Sequence, residues 1–304
     1  MSAKGGKADL SGPVGCGYAE PLGGRRGVLQ MPAAGAKGRK MNMAALVIAA
    51  GMLLSAAPSP QDRPLTGTWV ADLDTQQGLP TDMYLVRDGI YSCESCVPRR
   101  HYRADGTLRT VAETPRVLEA VRIVDARTIS TRIVQPDLSR TTLMRVARDG
   151  LTATYVSTDH RAGIEGTLRT KYLARRTAFG PAGSHAVSGT WQGIRYVSVP
   201  LQLRTTILTD RGDQLSYRTG TGYSYTARFG GAYERVSGPY DGSITVAVQR
   251  VDRYRVVETR RRGSDVVQVR TYTVARDGRS MEIATTDSAT NTTFRATSRR
   301  QQSR

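Results

Sequence analysis

The sequence predicts an all-β protein built as two tandem antiparallel up-and-down β-barrels of about ten short strands each. Three observations predict it. The pentapeptide V-A-R-D-G occurs at 146–150 and again at 274–278, each time between strand-like runs, and the flanks match in register. R-T-I-S-T-R-I-V-Q at 127–135 precedes the first copy and R-Y-R-V-V-E-T-R at 253–260 the second, while T-D follows at 158–159 and at 286–287. G-T-W stands further back, at 67–69 and 189–191, so the chain is an internal repeat. Beyond residue 61 the apolar pattern has period two, with Val, Ile, Leu, Thr and Tyr alternating with Arg, Asp, Gln and Ser, as half-buried strands require. The connections carry hairpin chemistry at Asp88-Gly89, Asp105-Gly106, Asp149-Gly150, Gly230-Gly231 and Asp277-Gly278.

In chain order, residues 1–57 read as an unstructured leader ending in a signal peptide. The apolar run M-A-A-L-V-I-A-A-G-M-L-L-S-A-A at 43–57 is too short for a bilayer span, which needs about 20 residues. Arg39 and Lys40 supply a positive flank, and Ser55, Ala56 and Ala57 offer a cleavage site. A start at Met31 would give a conventional export signal, and a retained membrane anchor is the competing reading. The expected localisation is therefore periplasmic or secreted, with nothing spanning the membrane once the protein is mature.

The first repeat occupies 62–177, with strands expected near 66–73, 82–87, 90–93, 100–104, 107–112, 119–125, 128–135, 139–147, 151–158 and 165–175. A Gly- and Pro-bearing linker, 178–187, separates it from the second repeat at 188–300. There the strands fall near 188–196, 201–209, 213–218, 222–228, 232–236, 243–250, 253–260, 266–275, 280–286 and 292–299. A meander of this length leaves two unpaired edges, and closing it into a barrel removes them. An outer-membrane barrel is excluded by arginines such as Arg122, Arg132, Arg145, Arg255 and Arg270 within the strands and by the absence of aromatic girdles.

The formal charge is +18, and removing the leader, with its seven basic and two acidic residues, leaves +13. Only Lys171 is a lysine in that mature part, so the charge is almost all arginine. It gives the protein a basic outer surface that can draw it to an anionic envelope surface. No nucleic-acid-binding motif and no aromatic cluster between the arginines accompanies it, so nucleic acid is not an expected partner.

Cys93 and Cys96 form a lone C-x-x-C in a β context. With no second pair to complete a zinc site, a disulfide after export is the expected fate. His101, His160 and His185 have no partner spacing, and no nucleophile elbow, phosphate loop or metal-binding carboxylate run occurs. The chain is thus read as a non-enzyme without cofactor or metal. Arg211-Gly212-Asp213 and Asn291-Thr292-Thr293 read as turn sequence.

Gly67-Thr68-Trp69 and Gly189-Thr190-Trp191 resemble the G-x-W that opens the first strand of lipocalins and related calycin barrels, a class that includes fatty-acid-binding-protein-like folds. The resemblance implies that Trp69 and Trp191 each close one barrel end and are covered by an arginine of the last strand. Arg169 and Arg295 stand at comparable places. Y-S-C-E-S-C-V-P at 91–98 and G-P-A-G-S-H-A-V-S-G-T-W at 180–191 further resemble a group of uncharacterised two-repeat secreted bacterial proteins, a likeness that implies no function. The functional expectation is an exported binding protein holding a small hydrophobic or amphipathic, lipid-like ligand in a barrel. The alternative is a structural or interaction module of the cell envelope working through arginine-rich surfaces.

Overall fold

A computed structural model describes residues 63–302 apart from 97, 113, 239–243 and 289; the leader lies outside the described residues. The first half contains β1 (Gly67–Ala71), a 3₁₀ turn at Leu73–Thr75, β2 (Thr81–Arg87), β3 (Ile90–Cys93), β4 (Arg100–Arg103) and β5 (Arg109–Val111). Long strands follow: β6 (Thr114–Asp125), β7 (Thr128–Gln135), β8 (Leu138–Val146), β9 (Thr152–Arg161) and β10 (Leu168–Phe179). The second half runs β11 (Gly189–Ser198), the single-turn helix α1 (Leu201–Arg204), β12 (Thr205–Asp210), β13 (Gln214–Thr219), β14 (Ser224–Arg228) and β15 (Glu234–Arg235). It ends with β16 (Ile244–Arg250), β17 (Arg255–Arg262), β18 (Asp265–Val274), β19 (Ser280–Asp287) and β20 (Thr293–Arg300). Among the described residues no helix is long and apolar enough to cross a membrane.

Two antiparallel ten-stranded sheets result, each curled into a nearly closed barrel. Period two decides which side chains face the axis: in β9, Ala153, Tyr155, Ser157 and Asp159 are buried and their neighbours are not. The turns follow the Asp-Gly chemistry. Asp88 and Gly89 both take positive φ, 52° and 72°, as a two-residue hairpin demands. In V-A-R-D-G the glycines Gly150 and Gly278 sit at φ 72° and 70°, and the aspartates accept the Leu151 and Arg279 amides at 2.8 and 2.9 Å. Closure is completed by short ladders. Gly106 N–H donates to Val121 O at 2.8 Å across the β4–β6 gap, and Ser224 and Ser237 exchange two bonds of 2.8 Å beside β15.

The repeat and the sheets are offset by one strand. Barrel one has the order β4-β3-β2-β11-β10-β9-β8-β7-β6-β5, and barrel two β14-β13-β12-β1-β20-β19-β18-β17-β16-β15. The first strand of each repeat therefore completes the other repeat's barrel: Trp69 pairs with Thr206 and Arg300, Trp191 with Asp82 and Arg176. Segment 178–187, expected to link the domains, instead turns β10 back onto β11 within barrel one. The physical reason is local. An antiparallel strand returning through a short loop pairs with its predecessor, so β11 is taken up by β10 and the vacancy beside β20 is filled by β1. The chain crosses between barrels at 72–80 and at 199–204.

Both crossings are fastened. Gln77 and Arg295 exchange backbone bonds of 2.9 and 3.0 Å, and Gly193 N–H donates to Pro80 O at 3.0 Å. At Gly78, φ 69°, a Cβ would stand 2.0 Å from Thr293 O, so only glycine passes this point. Leu73 and Leu203 at the crossings, with Phe294 of β20, pack on the core of barrel one.

Candidate binding cavity

Each barrel buries one tryptophan, Trp69 or Trp191, with 0% exposure. The Trp69 indole N–H donates to Leu65 O at 3.0 Å, and that of Trp191 to Val187 O at 2.9 Å. The covering arginines are Arg300, 4.4 Å from the Trp69 ring centroid, and Arg176, 4.1 Å from that of Trp191. Arg176 also donates to the carbonyls of Gly150, Ser188 and Ala186, each at 2.5 Å. Arg300 matches it group for group, donating to Gly278 (2.6 Å), Thr66 and Pro64 (2.5 Å). The V-A-R-D-G turn is duplicated because its last carbonyl anchors this latch. The G-x-W glycine has a reason of the same kind: a Cβ on Gly67 would come within 2.7 Å of Arg300 Nη1, and one on Gly189 within 2.3 Å of Ala178 O. Burial lowers the pKa of both arginines, Arg176 and Arg300.

Arg169 and Arg295, expected in this role, are exposed. Arg169 lies opposite Thr158 on the outside of β10, and Arg295 pairs with Glu282 at 3.0 Å. Strand alternation explains the correction, because residues 169 and 295 fall on outward positions of strands that run on to residues 176 and 300 before meeting tryptophan. The available signal was the R-R pair at 175–176 and 299–300, which repeats in register.

Barrel one holds a partly open cavity of about 70 Å³. Four tyrosines line it. Tyr84 and Tyr91 stack with centroids 6.0 Å apart, and Tyr155 meets Tyr172 edge-on at 5.4 Å. Ile129, Ile133 and Met144 supply apolar wall, and Thr131, Thr142, Ser157 and Thr170 supply hydroxyls. Asp82, Glu119 and Arg140 bring charge to it. Glu119 is held by Arg100 at 2.6 Å, both groups buried. Arg140 grips Asp159 with two bonds of 2.6 and 2.8 Å, and Arg161 adds a second donor pair. Burial pushes the Asp159 carboxyl up, but these guanidiniums outweigh it and hold the group below its ordinary value. Burial, with Glu119 beside it, raises the Tyr102 hydroxyl well above the usual range.

Cys93 and Cys96 are joined as a disulfide with Cα atoms 5.4 Å apart, and Cys96 forms part of the cavity wall. The histidines lie apart: His101 meets Ser92 Oγ at 2.9 Å, and His185 Nε2 lies 2.7 Å from Asp125 O. Arg211-Gly212-Asp213 is the turn between β12 and β13. Among the described residues no group of three or more His, Cys, Asp or Glu stands close enough to hold a metal ion.

Register makes the two interiors directly comparable. Thr131 lies opposite Thr142 and Ile133 opposite Arg140 in barrel one, as Glu258 lies opposite Arg270 and Arg260 opposite Gln268 in barrel two. At four inward positions barrel one thus carries Thr131, Ile133, Thr142 and Met144, where barrel two carries Glu258, Arg260, Arg270 and Tyr272. The first set lines a cavity. The second is a buried network in which Glu258 accepts from Tyr225 (2.6 Å), Tyr272 (2.8 Å) and Arg260 Nε. Arg270 donates in turn to Gln268 (3.1 Å), Tyr217 (3.3 Å) and Thr285 (3.2 Å). Sequence reasoning missed this network because Arg260 and Arg270 read as solvent-facing strand residues. Glu258 two residues before Arg260 was the one sign that an inward-facing row carried both charges.

No protein-family model, curated protein or solved structure matches the chain.

Proposed function

We propose that the protein is an exported, non-enzymatic binding protein that holds a small amphipathic molecule inside barrel one. The observation that carries this reading is the difference between the two barrels at matching positions: a cavity behind Thr131, Thr142 and Met144 where barrel two has charged and aromatic side chains. A wall of tyrosine rings, aliphatic side chains and hydroxyls suits a ligand with an apolar body and a few polar atoms. The cavity of about 70 Å³ is small beside pockets of roughly 300–1,000 Å³ that take drug-sized ligands. The cargo is accordingly a molecule of few heavy atoms, and a lipid chain would require the barrel to part between β4 and β5, the two ends of its sheet. Barrel two completes barrel one by exchange of a strand. The Cys93–Cys96 disulfide supports an oxidising compartment outside the cytoplasm.

Native mass spectrometry of protein purified without detergent tests this reading. The expected result is a stoichiometric extra mass, shed as collision energy rises and absent from Met144→Tyr, a variant that places barrel two's residue in the cavity and keeps the fold. A bare mass in the unsubstituted protein, with no small molecule from a fragment library raising its melting temperature more than that of Met144→Tyr, would overturn it. That result would turn attention to the envelope-interaction reading, which the basic exterior of barrel one favours.

A further inference from the structure

The exteriors of the two barrels also differ at matching positions. On barrel one, cross-strand partners set Arg132, Thr141, Thr158 and Arg169 in one row over β7–β10, and Ser130, Leu143, Val156 and Lys171 in the next. Arg122 adjoins the second row through Ser130, and Arg145 faces Thr128 in a third. Arg122, Arg132, Arg145, Arg169 and Lys171 are all exposed. No Asp or Glu occupies an outward position of β7–β10, and Asp125, the last residue of β6, lies 3.6 Å from Arg145.

Barrel two is neutral at matching places in the first two rows. Gln249, Thr259 and Thr293 stand where barrel one has Arg122, Arg132 and Arg169, while the third row carries an arginine in both barrels, Arg255 beside Asp252 at 3.9 Å matching Arg145 beside Asp125. Arg295, the counterpart of Lys171, is paired with Glu282, whose own counterpart in barrel one is the uncharged Thr154. Two barrels from one repeated sequence therefore share a frame, and only one carries this unneutralised charge. The fold has no use for it, since like charges spread over one face repel and destabilise.

The shape of the face selects the partner. It is the convex outside of a barrel, with Arg132 and Arg169 three strands apart, about 14 Å at the usual strand spacing. It cannot enclose a small anion and instead matches an extended anionic surface. Its apolar component is aliphatic, with Leu143 42% exposed between the arginines; the exposed aromatic ring of these strands, Phe179, stands at the far end of β10, eight residues beyond Lys171. Arginines around an exposed aliphatic side chain suit the boundary between phosphate headgroups and acyl chains.

We propose that the β7–β10 face of barrel one docks on the phosphate-bearing anionic surface of a lipid bilayer. This inference does not depend on a ligand in the cavity. The test uses the chain from Pro58 onward, so that the apolar segment 43–57 contributes nothing, in co-sedimentation with vesicles of phosphatidylcholine alone or mixed with phosphatidylglycerol. Binding is expected only to the mixed vesicles and weakens with added salt. Arg122→Gln, Arg132→Thr and Arg169→Thr together install the residues barrel two carries and leave the melting temperature in place. They lower affinity by roughly fivefold per arginine, about a hundredfold in all. Replacing three exposed arginines of barrel two, Arg211, Arg218 and Arg228, by Thr removes the same charge and is expected to leave most of the binding. Equal losses in the two triple variants, no loss in the first, or tighter capture of duplex RNA than of the mixed vesicles would each overturn the proposal.

Discussion

Arg300, in the last strand of the second repeat, lies over Trp69, from the first strand of the first, with its guanidinium carbon 4.4 Å from the ring centroid. The two residues are cross-strand neighbours in β20 and β1. Arg176 and Trp191 make the reciprocal pair, at 4.1 Å, so each barrel holds a stacked pair with one residue from each half of the chain.

The latch makes a stability prediction. Arg176→Met leaves three carbonyls of 150, 186 and 188 without their charged donor and uncovers Trp191, and should cost about 3 kcal/mol. Arg300→Met should cost a similar amount. Arg169→Met, on the exposed face, should change stability by less than about 0.5 kcal/mol. Urea denaturation of the three variants checks this, and equal effects at 169 and 176 would contradict the assignment.

The exchange of strands predicts how the cut chain behaves. A protease site placed after Gly183, in the exposed turn between β10 and β11, separates the repeats covalently while leaving each barrel with a strand from the other fragment. The fragments should co-elute as one particle in size-exclusion chromatography and separate only in denaturant. Independent elution in native buffer would mean that each repeat closes on its own first strand.

Glu258 predicts an acid response. Burial raises its pKa, and Arg260, Arg270 and the hydroxyls of Tyr225 and Tyr272 overcome that and hold it at about 2. An unfolded-state carboxyl titrates near 4.3. Because the folded value is depressed, the carboxylate contributes fully above about pH 4.3, and its contribution is lost as pH falls toward about 2. Glu258→Gln should cost about 3 kcal/mol at neutral pH, because two buried guanidiniums lose their counter-charge. It should also make the stability profile shallower between those two pH values. Calorimetry across that range measures both.

The disulfide closes a very short loop. Reduction, or Cys93→Ser with Cys96→Ser, should therefore lower stability by about 2 kcal/mol and no more. Because Cys93 and Cys96 are joined to each other, thiol reagents should label the chain from Pro58 onward, which lacks Cys16, only after reduction, read as a mass increase of two labels.

Much of this was legible in residues. Period two and the Asp-Gly turns announced antiparallel strands, since alternation and positive φ are local properties. The duplicated V-A-R-D-G and G-T-W announced two like barrels. The C-x-x-C read as a disulfide because no further ligands accompany it. Other features were hidden for stated reasons. Arg169 and Arg295 were plausible covers for tryptophan, but the register of β10 and β20 places residues 176 and 300 opposite the rings. Arg260 and Arg270 sit at alternating positions like any surface arginine, and only closure of the barrel turns that row inward.

By itself the sequence determined the strand content, the turns, the twofold repeat and the disulfide, all set by interactions among residues near one another along the chain. The tertiary structure alone decided which barrel each G-T-W strand enters, because the two strands carry the same motif and fit either place. Connection geometry then gives β11 to β10 and leaves β1 for β20. It also decided that one interior holds a cavity and the other a charged network, because that depends on which side chains from distant strands meet across the barrel axis.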